Sequence, residues 1–229
     1  MTIEATGNDR HAAFFDQLAV VGKAFASAKR LVLIDLLAQG ERTVESLARE
    51  AGMGVTTASA HLQVLKLSNL VTTRREGTRI HYRLAGEDVA HLYSSMLHVA
   101  REHSADVEKA LSAYLGIGGV TADDIEEVSR EELLARLDRG DVVALDVRPT
   151  EEYAAGHLPG ARSVPFGELA TRLELDDPGV EIVAYCRGAH CVLASDAVRL
   201  LRAQGRDARR LRDGLLEWRL AGYPVEASR

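Results

Sequence analysis

The hydrophobic pattern changes period near residue 120, and that change restricts the chain to two folded units of different class. Before it, apolar residues recur at steps of three and four, as on one face of a helix. After it, short apolar runs alternate with helical stretches, the pattern of an α/β domain with a mainly parallel sheet. A chain of 229 residues is long enough for two cores of roughly 100 residues each. Its 46% apolar content can fill them.

In the first half, Phe14, Leu18, Val21 and Phe25 predict one helix, and Leu31, Leu33, Ile34 and Leu37 a second. Gly40 ends the second as a left-handed cap. Thr43 is placed to N-cap a short helix through Glu50. Ala51, Gly52, Met53 and Gly54 make a tight turn, and Thr56 opens another helix with Ala58, Leu62 and Leu65 facing inward. Two short helices about a glycine-bearing turn have helix-turn-helix spacing. Val71, Thr73, Ile80, Tyr82 and Leu84 predict a β-hairpin about Glu76 and Gly77, a wing beside a recognition helix. Residues 87–115 read as one long helix. Its Val89, Leu92, Met96, Val99, His103, Val107, Ala110 and Tyr114 form a seam for a partner helix, with His103 as the weak point. Ile117, Gly118 and Gly119 end it, and an acidic linker over 121–124 follows.

The recognition helix turns Thr56, Thr57, Ser59, Ala60 and His61 outward, and hydroxyls and imidazole suit phosphates and base edges. Arg74, Arg75, Thr78 and Arg79 on the wing are placed to hold phosphates. Lys66 and Arg83 read as solvated charges. The net charge of −6 argues against nucleic acid only at first sight. Residues 1–120 carry 13 basic and 13 acidic side chains, whereas residues 121–229 carry 15 and 21. The excess acid lies in the second half, and binding depends on local patches.

In that second half, Ser129 and Glu132 have capping-box spacing for a helix through residue 137. The run 142–147 is continuously apolar, as buried parallel strands are. Further strands are expected at 163–166, 181–186 and 208–211, and helices at 149–155, 167–173, 190–204 and 214–221. The expected organisation is a DNA-binding and dimerisation domain over 9–115, a linker over 116–124 and an α/β domain over 125–229. No run of about 18 apolar residues is present, so no membrane span is expected. The N-terminus lacks a basic-then-apolar leader, which points to the cytoplasm.

Both cysteines of the chain, Cys186 and Cys191, sit between the strand at 181–186 and the helix that follows. In parallel sheets chemistry gathers at the carboxyl ends of strands. Loop amides and a helix N-terminus favour an anion there, and Arg187 adds a full positive charge. Such surroundings lower a thiol pKa to roughly 3.5–7.5. Gly188 lets the backbone curl around the sulfur, and Ala189 and His190 complete the loop. In a reducing cytosol two such cysteines point to thiol chemistry or metal capture, not to a staple. Phosphate chemistry of the related loop type needs an Arg six residues after the cysteine, where this chain has Val192.

The segments at 133–166, 183–191 and 211–225 together resemble a rhodanese domain. That resemblance implies that Cys186 accepts a sulfane sulfur as a persulfide held by loop amides. It also implies that Asp146, Arg148, Glu152 and His157 are a mainly structural framework. Many thiosulfate-using members carry a cation or hydroxyl late in the loop; here Cys191 stands there and is placed to resolve a persulfide. Residues 10–100 resemble the ArsR/SmtB family of dimeric winged-helix repressors, through AFASAKRLVLIDLLAQGERTVESLA, TTASAHLQVLKLSNLV and VTTRREGTRIHYRL. Some members bind metals through cysteines on the helix matching 43–50, where this chain has none. His91, His98 and Glu102, with His103 beside them, read as solvated or dimer-packing residues, so no metal site and no cofactor are expected. The reading is a homodimeric repressor of a double-stranded DNA operator that senses a sulfane sulfur donor through Cys186. The alternatives are a sulfurtransferase with an attached DNA-binding module and a sensor of arsenite or another soft metal through the two thiolates.

Overall fold

The computed structural model describes residues 7–115, 125–172 and 179–228. The linker expected over 116–124 and the end of the helix expected over 167–173 lie outside the described residues. Two compact units divide the chain, Met1–Tyr93 and Ser94–Arg229.

The first unit opens with α1 (Gly7–Phe25) and α2 (Ala28–Ala38), followed by β1 (Arg42–Thr43), α3 (Val44–Glu50) and α4 (Val55–Leu67). It closes with the hairpin β2 (Val71–Glu76) and β3 (Arg79–Leu84) in a three-stranded antiparallel sheet of order β1-β3-β2. Thr43 caps α3 as its position predicts: its Oγ1 accepts the Ser46 N–H at 3.3 Å. The inward positions of α4, Ala58, Leu62 and Leu65, are fully buried together with Leu33 and Ile34 of α2 and Leu47 of α3. Helices α2, α3 and α4 therefore share one core, which fixes the angle of the helix-turn-helix. The wing turn is a two-residue hairpin with Glu76 opposite Arg79. Its first central residue, Gly77, has φ +60°, which tight hairpin turns require and which a side chain resists.

The helix expected over 87–115 is two helices, α5 (Glu87–His103) and α6 (Ala105–Leu115). The break is chemical. Ser104 Oγ accepts the Val107 N–H at 3.4 Å, so the serine caps the second helix instead of continuing the first. The seam pattern survived this break, which is why periodicity alone missed it. Leu92, Val99 and Tyr114 of that seam are exposed, as are Phe14 and Leu18 of α1.

The α/β fold follows as β4 (Glu127–Val128), α7 (Arg130–Leu137), β5 (Val142–Asp146), α8 (Thr150–Ala155), β6 (Arg162–Ser163) and α9 (Phe166–Leu169). It continues with β7 (Glu181–Tyr185), α10 (Val192–Ala203), β8 (Ala208–Leu211) and α11 (Leu215–Leu220). The sheet order is β4-β8-β7-β5-β6, and every pairing is parallel. Ser129 Oγ accepts the Glu132 N–H at 3.1 Å and starts α7 where the capping pattern places it. The strand expected over 163–166 is shorter, because Pro165 has no N–H for a ladder and instead opens α9. The strand expected over 181–186 ends at Tyr185. Strands β1 and β4, two residues each, are too short to carry a period-two signal.

Side-chain alternation along the central strands splits the core in two. Leu145, Ile182, Ala184 and Cys186 pack on one side of the sheet with Ala194, Ala197, Val198 and Leu201 of α10. Val142, Ala144, Val183 and Tyr185 pack on the other with Leu133, Leu215 and Trp218. No helix among the described residues is long and apolar enough to cross a membrane. Replacing the fully buried Leu62 by alanine should destabilise the winged-helix unit by about 2–5 kcal/mol, read as a lowered midpoint of urea unfolding by circular dichroism.

Candidate functional site

Period-two alternation on β7 decides where the first cysteine goes. Tyr185 faces the α11 side, so Cys186 faces α10. The chain then turns over residues 187–191, with the Cys191 N–H bonded to Gly188 O at 3.0 Å, and α10 begins. The first amides of α11 hold this loop: Leu215 N–H donates to Cys186 O at 2.9 Å and Leu216 N–H to Arg187 O at 3.0 Å. Gly214 makes the approach feasible, because a Cβ there would collide with the backbone of Gly188 and Arg187.

Cys186 and Cys191 are bonded to each other, with Cα atoms 6.1 Å apart, inside the range a disulfide needs. Only four residues, 187–190, lie between them, so the bond removes little chain entropy and is a poor staple. Cys186 is 1% exposed and Cys191 8%. Both sulfurs are thus buried in the bonded state, within the core on the α10 side of the sheet. A bonded sulfur does not ionise. Among the described residues no three His, Cys, Asp or Glu side chains converge on a metal-sized point.

The charge around the loop is arranged differently from the sequence expectation. Arg187 turns its guanidinium onto the buried Glu152, with Nε 2.9 Å from Oε1 and 3.0 Å from Oε2. Its positive charge is largely matched by that carboxylate, which leaves loop amides and the α10 N-terminus as the main attractions for an anion. Asp146 and Arg148 form a second, fully buried pair, with contacts of 2.9 Å and 2.6 Å. Arg148 also donates to Gly156 O at 2.6 Å. His157 Nδ1–H donates to Tyr153 O at 2.8 Å, and the imidazole stacks on the Tyr153 ring. These four framework residues form a buried network that shapes the end of β5. Burial pushes the Tyr185 hydroxyl pKa up, and Asp146 adds to that shift.

Sequence reading missed Glu217. This residue of α11 accepts the Gly214 N–H at 3.0 Å and the Ala189 N–H at 3.4 Å. Burial pushes its carboxyl pKa up, against its own and Gly214's backbone hydrogen bonds and the charge of His190. The signal available in sequence was its position three residues after Gly214, the spacing of an N3 acceptor.

On the winged-helix side, Thr56 and Ala60 are exposed and Thr57, Ser59 and His61 half-exposed along one face of α4. Arg74, Arg75, Thr78 and Arg79 are exposed on the wing. Arg74, however, is clamped by Glu41 at 2.6 Å and Glu76 at 2.8 Å. Arg75 Nε donates to Gly77 O at 3.0 Å. A phosphate reaching Arg74 competes with two carboxylates.

The buried network gives a stability test. Arg148→Ala leaves Asp146 as a buried, unpaired carboxylate and should cost about 3–5 kcal/mol. Urea unfolding followed by fluorescence of Trp218, the single tryptophan, reports on this unit.

Comparison with known proteins matches the rhodanese-like domain family over residues 129–221. Residues 27–73 match the family described as bacterial regulatory protein, arsR family. The HTH-type transcriptional regulator Rv0324 of Mycobacterium tuberculosis is 55% identical over 219 residues, spanning 96% of this chain and 94% of its own. A protein named sulfurtransferase from Allochromatium vinosum is 30% identical over 104 residues, 45% of this chain and 96% of its own. A solved structure, the homodimeric winged helix-turn-helix DNA-binding domain of Mb0332 from Mycobacterium bovis, is 57% identical. It covers 44% of this chain and 94% of its own, with a TM-score of 0.41. The chain belongs to the ArsR family of HTH-type transcriptional regulators and carries a C-terminal rhodanese-like domain.

Proposed function

We propose that this regulator is a homodimeric repressor whose operator affinity is set by the sulfur state of Cys186. The observation that carries this reading is the placement of the chain's two cysteines on one loop, bonded, at the carboxyl end of a central strand. We assign DNA binding and dimerisation to residues 9–115, a linker role to 116–124 and sulfur chemistry to 125–229. Thr56, Thr57, Ser59, Ala60 and His61 contact the operator, and Arg75, Thr78 and Arg79 hold phosphates with Arg74 as a conditional member. Dimerisation covers the exposed apolar residues of α1, α5 and α6 and sets two recognition helices about 34–36 Å apart on a two-fold operator. DNA binding places the protein in the cytoplasm.

In the reduced loop, Cys186 thiolate attacks the outer sulfur of an organic persulfide, forms a new S–S bond and releases the donor's thiol. The persulfide anion sits against loop amides of residues 187–191. Cys191 thiolate then attacks Cys186 Sγ, the inner sulfur, which closes the Cys186–Cys191 bond and expels hydrogen sulfide. Both sulfurs share one loop, so this step is intramolecular and favoured by proximity. Reduction by a low-molecular-weight dithiol resets the pair. The change in charge and loop shape biases the dimer away from its DNA-binding geometry.

The likeness to a protein named sulfurtransferase keeps a second reading in view, a turnover enzyme with an attached winged helix. Rapid multiple turnover with thiosulfate and cyanide identifies the enzyme; one slow sulfur load per chain identifies the sensor.

The test uses duplexes selected by the reduced full chain from random sequence. Polysulfide should weaken binding in a gel shift by roughly 5–150-fold, and Cys186→Ser should abolish that response. Cys191→Ser should accumulate the persulfide. Release of DNA from the Cys186→Ser protein on donor addition overturns the proposal. Arg79→Ala should lower the slope of log affinity against log salt by about 1 while leaving sequence preference intact.

A further inference from the structure

The carboxylate of Glu217 is the one acidic side chain hydrogen-bonded to the backbone of the thiol loop among the bonds described. It reaches there from α11, the same helix whose first amides hold Cys186 O and Arg187 O. Its Oε1 lies 3.4 Å from Ala189 N and its Oε2 lies 3.0 Å from Gly214 N. Oε1 also sits 3.1 Å from where a side chain on Gly188 would begin. The carboxylate therefore fills space directly beside the loop that curls around Cys186.

An anionic outer sulfur on Cys186 needs loop amides. Two of them are engaged: Cys191 N–H donates to Gly188 O, and Ala189 N–H donates to Glu217. Two anions on one small loop repel each other, and the loop's amides cannot serve both at full strength.

Resting on the sulfur reading above, we propose that Glu217 is a positioning residue of the thiol loop. Its carboxylate occupies the Ala189 N–H in the unloaded loop, and loading of Cys186 drives Glu217 to release that amide and take up a proton. The balanced step joins Cys186 thiolate, an organic persulfide and one solvent proton to give the Cys186 persulfide anion, the donor's free thiol and protonated Glu217. One S–S bond breaks in the donor and one forms on Cys186, with no net oxidation.

The raised carboxyl pKa of Glu217, caused first by burial, lowers the cost of that protonation. Other charged groups surround it. His190 lies on the loop and Asp213 precedes α11. Arg130 of α7 donates to Glu217 O at 3.0 Å and pairs with Asp213. His98, Arg101 and Glu102 of α5 line the same cavity of about 590 Å³ as Glu217, His190 and Asp213. All of these remain in the chain when only Glu217 is changed, so the comparison of variant with wild type isolates the Glu217 carboxylate.

The experiment uses the full chain, reduced with a dithiol that is then removed, and cysteine persulfide as the donor. Mass spectrometry of the loop peptide follows the one-sulfur gain on Cys186 across a pH series from acid to alkaline, because burial raises the Glu217 carboxyl pKa. The loading rate of Glu217→Gln divided by that of wild type should be near one at the acid end. It should rise roughly tenfold toward the alkaline end, where only the wild type carries the extra anion. The Ala189 amide resonance should show a titration step in wild type that is lost in Glu217→Gln, a readout that a role in packing alone does not produce. Loading in both proteins with a pH-independent ratio and identical Ala189 titrations overturns the role of Glu217 and leaves the sulfur reading standing. Absence of loading in either protein at every pH overturns the sulfur reading, and this inference with it. A Glu217→Gln chain that unfolds at lower urea than wild type is replaced by Glu217→Asp. That shorter carboxylate should load faster than wild type at alkaline pH, and an unchanged rate counts against the proposal.

Discussion

The site depends on a backbone-to-backbone attachment. The first two amides of α11 donate to the carbonyls of Cys186 and Arg187, and the lack of a side chain at Gly214 lets the two segments meet. A helix N-terminus ordinarily leaves such amides without intrahelical partners. Here they are spent on the loop that carries both cysteines. The loop is thereby fixed at its strand end by β7, at its far end by α10 and from beneath by α11. Cys186 is held by three elements, and no single side chain carries its position.

The charges near the loop follow from the same packing. Asp146 and Arg148 neutralise each other at zero exposure, and Glu152 takes the guanidinium of Arg187. A buried ion pair of this kind is weak evidence for net stability, because desolvation offsets its attraction. Its role is to give the end of β5 one geometry. With Arg187 engaged, backbone dipoles are what the loop offers an anion, and one of those amides, Ala189 N–H, donates to Glu217. On the wing the arrangement is parallel: Glu41 and Glu76 hold Arg74. In both places the anion that is held is a carboxylate of the protein itself.

Much of this was legible in the sequence because the relevant signals are local. Thr43 and Ser129 cap helices where their spacing places them, and Ala58, Leu62 and Leu65 face inward as period 3.6 requires. The continuous apolar run at 142–147 became a central parallel strand. What escaped was set by distant or very short features. Ser104 broke a helix whose apolar period ran straight through it. Pro165 cut a strand to two residues. The pairing of Arg187 with Glu152 joins residues 35 apart in sequence, and the contact of Glu217 with Ala189 joins residues 28 apart. Neither spacing has a period to read. A loop that looks electropositive in sequence can therefore be close to neutral once folded.

The central claim is that one sulfur atom on Cys186 sets operator affinity. The most direct measurement takes a single sample of reduced protein on operator DNA, titrates it with an organic persulfide, and reads two quantities at each point. One is the fraction of loop peptide in which Cys186 carries an extra sulfur or is bonded to Cys191, by mass spectrometry. The other is the fraction of DNA bound, by fluorescence anisotropy. The account predicts that DNA release follows Cys186 modification across the titration. Full release with Cys186 unmodified, or full modification with DNA still bound, would contradict it.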